Sequence, residues 1–259
     1  MLIRFVVLKA RSPNANERLT RAIHSLQGLS RGDVFGERFF VHPDLAHSLI
    51  TYRTAPSGPW RYTDDTVMAI AITEILEEFE EIHPERLAAN FGRHFMADPH
   101  RGCGHAMHSL LPELADHPQH WKKLAPQLFK GSGSFGNGAA MRVAPIGAFF
   151  ADDLDTLVKQ AELSAMITHS HPEGIAGAIA VALATALAWR HRSSPVSPAD
   201  FLQQICERIP MSEVHLRMAR ALALLENTTV EQAASALETG AQVSAQDTVP
   251  CCLWAAACT

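Results

Sequence analysis

Apolar residues three or four positions apart recur along most of this chain, and that spacing restricts it to a helical fold. Val67, Ala71, Ile75 and Phe79 fall at i, i+4, i+8 and i+12, and Leu154, Val158 and Ala161 repeat the stripe. The pattern predicts helices from residue 67 to about 81, around 154–161, and over 84–96, 106–114, 172–190, 199–208, 212–225 and 230–238. Thr229 with Gln232 offers a capping box for the last of these, and Gly240 a stop. The fold class is therefore all-α. Residues 28–36, 55–63, 98–104 and 130–138 are too rich in glycine, or too punctuated by proline, to read as helix. They are expected to be loops, where function usually resides. With 259 residues, no repeat and only a short polar connection at 192–198, residues 1–259 read as one domain. Residues 1–19 are expected to be irregular, with Met1 to Ala10 either a short strand or an unstructured start.

Composition removes several functions. A net charge of −5 and a pI near 6.3 leave no pull toward phosphate backbones, so nucleic acid is disfavoured as a partner. The longest uncharged stretch, residues 174–189, is alanine-rich and shorter than the roughly 20 residues a bilayer requires. It reads as a buried central helix, and no membrane is expected. Five cysteines without a Cys-x-x-Cys spacing indicate neither a disulfide framework nor a zinc ribbon. The opening segment has no cleavage site of the secretory kind, so a reducing cytoplasm is the expected location.

Four short segments carry chemistry. Thr63-Asp64-Asp65-Thr66 stands just before a helix, gathering carboxylates and hydroxyls at its positive end. Such oxygen donors suit magnesium, which takes one or two carboxylates and keeps several waters; the competing reading is ordinary helix capping. Gly131-Ser132-Gly133-Ser134-Phe135-Gly136-Asn137-Gly138 permits close backbone approach, so its N–H groups can cradle a diphosphate. The competing reading is a flexible surface loop. Ala139 to Arg142 follow where a Walker A motif needs Lys and Ser or Thr, which disfavours an ATPase. Thr168-His169-Ser170-His171-Pro172 places imidazoles at a helix start, as cap, packed polar group or, as a minor option, zinc ligand. Gly32-Asp33-Val34-Phe35-Gly36 sets one carboxylate in a turn-forming pair of glycines and means little alone.

Together and in this order, the segments 28–36, 62–66 and 136–147 with Thr168-His169 resemble the ADP-ribosylglycohydrolase family over about residues 20 to 256. That family includes the dinitrogenase reductase-activating glycohydrolase and enzymes that clear ADP-ribose from arginine or serine. The resemblance implies an orthogonal multi-helix bundle with magnesium at one end, two ions in the complete family site. Carried over by motif, Thr63, Asp64 and Asp65 would bind magnesium. Gly133, Ser134, Phe135, Gly136 and Asn137 would hold the diphosphate and ribose, and His169 would contact the substrate. The implied reaction is hydrolysis at the anomeric carbon of an ADP-ribosylated protein or small molecule, with Asp64 or Asp65 assisting proton transfer through an oxocarbenium-like transition state.

Two departures stand out. Phe40 occupies the position at which many members carry a glutamate near the metal, and Glu37 is not the matching residue, which leaves the general base open. The family's later Gly-Gly-Asp-x-Asp-Thr segment is not found within these residues: residues 245–254 resemble what precedes it and Asp247-Thr248 is no substitute, so either that segment lies outside this sequence or the chain is a C-terminally short member with half a metal site. Two other functions therefore stand beside the hydrolase. One is a non-catalytic relative that binds ADP-ribose or serves a structural role, as lens proteins of the family do. The other is a generic all-α magnesium phosphohydrolase, which leaves the segment from Asn137 to Arg142 without a purpose.

Overall fold

Small side chains on one buried helix set the distance at which its neighbours pack. The computed structural model describes residues 12–226 and 228–258. They form α1 (Ala15–Gly36), α2 (Pro43–Thr51), α3 (Asp64–Phe79), α4 (Pro84–Ala97), α5 (Met107–Asp116), α6 (Trp121–Gly131) and α7 (Ala144–Phe149). There follow α8 (Leu154–Met166), α9 (Pro172–Arg190), α10 (Pro198–Cys206), α11 (Glu213–Ala223), α12 (Val230–Leu237) and α13 (Ala245–Ala257). No strand occurs among the described residues, only an isolated antiparallel bridge between Gly136 and Ser244.

The central helix is α9. Pro172 at its first turn has a preset φ and no N–H to leave unpaired, and the His171 ring accepts from the Glu173 N–H. Alanines 176, 178, 180, 182 and 186 are buried together with Leu183 and Leu187, so α9 is apolar on every side, as a helix covered on every side must be. By length and composition α9 would pass for a bilayer span, but α7, α8, α10, α11 and α13 all pack against it. Each fully buried leucine contributes roughly 1.5–3 kcal/mol. The close crossing of α7 and α9 depends on Gly147, where a Cβ would collide with the Ala182 carbonyl oxygen and come within 2.9 Å of Thr185 Cβ.

Most expected helices are present with boundaries shifted by a few residues, and the Thr229–Gln232 capping box forms. Residues 55–63 and 98–104 are non-helical, as expected. Residues 28–36 are not a loop. They complete α1, which begins at Ala15, so residues 15–19 are helical as well; Met1 to Ala10 lie outside the described residues. Each interior glycine costs about 1 kcal/mol in helix propensity. Packing of α1 on α3 and α7 outweighs that cost, helped by Arg21, which donates to the Phe149 carbonyl and to Asp152. A Cβ at Gly28, Gly32 or Gly36 would meet nothing within 4 Å. The helices α2, α6, α7 and α13 carry too few periodic apolar residues, or too much proline, to be foreseen.

Gly147→Ala tests the α7–α9 crossing. The variant should lose about 3 kcal/mol of unfolding free energy, seen as a lower urea midpoint at unchanged m-value, because the obstructing atom is backbone and cannot rotate away.

Candidate functional site

The N-terminus of α3 is held by a carboxylate from α1. Asp33 accepts from the Thr63 N–H (2.8 Å) and Thr63 Oγ1 (2.8 Å), and from the Thr66 N–H (3.3 Å) and Thr66 Oγ1 (2.5 Å). Thr63 is the N-cap of α3, accepting from the Asp65 N–H, while the Asp64 N–H donates to the Arg101 carbonyl at 2.8 Å. Asp64 and Asp65 thus leave the first turn together into a half-buried space close to Asp33. Burial pushes the Asp64 carboxyl up to about 6, with Asp33 adding to the effect. Burial, then Asp64, then Asp33, push Asp65 up to about 7. Cys103 hydrogen-bonds Asp64, and burial with that carboxylate beside it raises the thiol to about 12.

The glycine segment is anchored between two helix starts, not free at the surface. Gly133 has φ +74°, and a Cβ there would lie 2.5 Å from Ser170 Oγ and 2.9 Å from the His171 nitrogen. Ser134 offers its carbonyl to the His171 N–H and its hydroxyl oxygen to the Gly136 N–H. On the other side the Ala245 N–H donates to the Phe135 carbonyl, the Asn137 N–H to the Val243 carbonyl, and Asn137 Nδ2 to Thr248 Oγ1 at 3.3 Å. Of the N–H groups expected to cradle an anion, those of Gly133, which donates to the Leu128 carbonyl, Gly136 and Asn137 are therefore taken within the protein. Those of Ser134 and Phe135 have no acceptor among the described residues.

His169 packs edge-on against the same segment. A Cβ at Gly138 would lie 2.7 Å from its Cε1 and 2.8 Å from its Nε2, so only glycine fits there. Behind the ring, Arg142 is buried, donates to the Ser164 carbonyl (3.0 Å) and Thr168 Oγ1 (2.8 Å), and stacks its guanidinium 4.2 Å from the centre of the Phe91 ring. No carboxylate reaches ion-pair distance of Arg142 among the described residues, and burial brings its pKa down to about 9. Burial, with this cation nearby, holds His169 neutral, its pKa down to about 3.

Thr63, Asp64, Asp65, Ser134, Phe135, Gly136, Asn137 and His169 all line one cavity of about 1360 Å³. Gly133 does not; it sits behind the wall against α9. Several lining residues were not singled out as site residues from sequence: Asp33, Cys103, Phe129, Arg142 and the stretch from Gln242 to Ser244. Only Asp33 and Arg142 stood in recognisable motifs. The others arrive through loops whose course depends on packing. Phe40, 85% exposed, and Glu37 both lie on the mouth. Asp247 is buried and accepts from the Gly240 and Gln242 N–H groups, so it serves the turn before α13 and not the cavity.

The raised carboxyls fix a pH dependence. In chelator-treated protein the folded state holds protons on Asp64 and Asp65 that the unfolded chain gives up near pH 4. Their contribution to stability should therefore be fully present below pH 4, fall as pH rises to about 7, and level off above it. Asp65→Asn should flatten that fall in urea titrations across the range; an unchanged slope would show that the Asp65 carboxyl is not raised by its surroundings.

The model of the ADP-ribosylglycohydrolase family matches residues 14–258. The chain is similar to the ADP-ribosylhydrolase ARH3 of Gallus gallus, 36% identical over 238 residues that cover 85% of this chain and 62% of the relative. The Homo sapiens ARH3 is 34% identical over 204 residues, 72% of this chain and 54% of that protein. An uncharacterized protein, YegU, of Escherichia coli is 30% identical over 208 residues, 74% of this chain and 60% of the relative. The chain thus spans between half and two thirds of the length of these relatives. An all-α bundle that gathers the acidic first turn of α3, the glycine segment and His169 around one cavity, matched by the family model along nearly its whole length, places this chain in the ADP-ribosylglycohydrolase family.

Proposed function

We propose that this protein hydrolyses the glycosidic bond between ADP-ribose and a protein side chain or small-molecule acceptor, using magnesium held by Thr63, Asp64 and Asp65. The carrying observation is that the two carboxylates and the glycine segment share one cavity, with no basic side chain in ion-pair contact with either carboxylate among the described residues. The residues present fit such an ion. Their donors are hard oxygens, and Asp65 is half-buried beside the negative charges of Asp64 and Asp33, a crowding that a dication would relieve. Among the described residues no group of three acidic, histidine or cysteine side chains is placed to hold a metal ion, so Thr63, Asp64 and Asp65 would supply only part of an ion's shell and water the rest.

When bound, magnesium supplies Lewis-acid polarisation and orients the ribose hydroxyls. The chain's own residues do the rest. Of Asp64 and Asp65, a carboxylate oxygen not engaged by the ion can give or take a proton as the anomeric bond breaks. The N–H groups of Ser134 and Phe135, without an acceptor among the described residues, would be available to a diphosphate in the cavity, and neutral His169 offers a hydrogen bond without a charge. The five cysteines, all free, accord with the proposed cytoplasmic location.

Calorimetry with magnesium and ADP-ribose, followed by assays of ADP-ribose release from modified arginine and serine peptides, tests this reading. Asp64→Asn and Asp65→Asn should each lose at least about 100-fold in turnover with the helical circular dichroism unchanged. Binding without release by the wild-type protein would select an ADP-ribose-binding relative instead, and full turnover in either variant would remove the assigned role.

A further inference from the structure

Thr168 lies in the turn between α8 and α9 and is 0% exposed, so its hydroxyl must find its partners inside the protein. Two atoms stand at 2.8 Å from Thr168 Oγ1: Arg142 Nη2 and His169 Nδ1. A guanidinium can only donate, so the threonine oxygen accepts from Arg142. Arg142 cannot turn away, because the same nitrogen donates to the Ser164 carbonyl and its plane rests on Phe91. The hydroxyl has one proton, and Nδ1 is the partner left to receive it. An Nδ1 that accepts leaves the ring proton of a neutral imidazole on Nε2.

Nε2 is the remaining ring nitrogen, and it lies against Gly136 and Gly138, which line the cavity together with His169. It has no hydrogen-bond partner among the described residues. We infer that Arg142 and Thr168 are positioning residues, which lock His169 in the Nε2–H tautomer so that it presents one fixed N–H donor to an oxygen acceptor of ADP-ribose. The inference rests on the proposed reading of the cavity only for the identity of the ligand. Burial also keeps a second proton off the ring at any ordinary pH, its pKa lying at about 3, so the donor is neither lost nor doubled as pH varies. A ribose hydroxyl or phosphate oxygen meets such a donor; a ligand offering only an N–H or ammonium group at that point would not.

Nitrogen-15 NMR of protein labelled at histidine reads the tautomer directly, with His169 signals assigned by their loss in His169→Gln. In the wild-type protein Nδ1 should resonate as an unprotonated nitrogen and Nε2 as a protonated one. Thr168→Val, which keeps the shape and removes the hydroxyl, should shift His169 toward the Nδ1–H form and raise the Kd for ADP-ribose in calorimetry about tenfold, the loss of roughly one hydrogen bond. Thr168→Ser should restore both. An Nδ1–H tautomer in the wild-type protein would overturn the inference whether or not the valine variant folds. So would a valine variant with an unchanged tautomer and unchanged Kd. Failure of the wild-type protein to bind ADP-ribose, with the expected tautomer present, would remove the proposed function and leave the positioning role standing.

Discussion

Asp33 holds the rest of the site in place. Its two oxygens receive the N–H and hydroxyl of both Thr63 and Thr66, so the end of α1 and the start of α3 are joined by charge-assisted hydrogen bonds. The contact places one carboxylate at the positive end of α3, where the helix dipole and the Thr63 and Thr66 N–H groups that it accepts from favour it. It also forces Asp64 and Asp65 to emerge beside an existing negative charge. The acidity at this end of the bundle follows from how two helices are joined; the raised carboxyl pKa values come first from burial of Asp64 and Asp65, with this crowding of charge adding to it.

The opposite wall is built on the same economy of means. The glycine segment has little internal hydrogen bonding and is shaped by the starts of α9 and α13, which clasp it through Ser134, Phe135, Asn137 and Thr248. Small residues on α9 let these starts approach: a Cβ at Gly177 would lie 2.9 Å from Ala245 Cβ. Tight packing in the bundle centre thereby fixes the geometry of a surface cavity. Below it, Arg142 stabilises a neutral histidine without pairing with an acid among the described residues, its charge met by a carbonyl, a hydroxyl and a ring face.

The site residues legible in the sequence were those in short, dense motifs. Thr63 to Asp65 and Ser134 to Asn137 stand out because carboxylates and glycines cluster there, and all of them line the cavity. Gly133 matched the same motif yet faces α9, since its lack of a side chain serves packing against Ser170 and His171. Cys103, Phe129 and Val243 gave no local signal. Each reaches the cavity because the surrounding segment is bent there, as at Phe129, where α6 breaks with φ +52°.

By itself the sequence determined the helical class, the buried position of α9 and the family, because apolar periodicity and clustered motifs are local properties that do not depend on distant partners. Tertiary structure alone decided that residues 28–36 are helix and not loop, since the cost of three glycines in one helix is offset only by contacts with α3 and α7. It also decided which of the motif's donors remain free, because a hydrogen bond from Asn137 to Val243, or from Arg142 to Thr168, joins segments whose meeting no local pattern encodes.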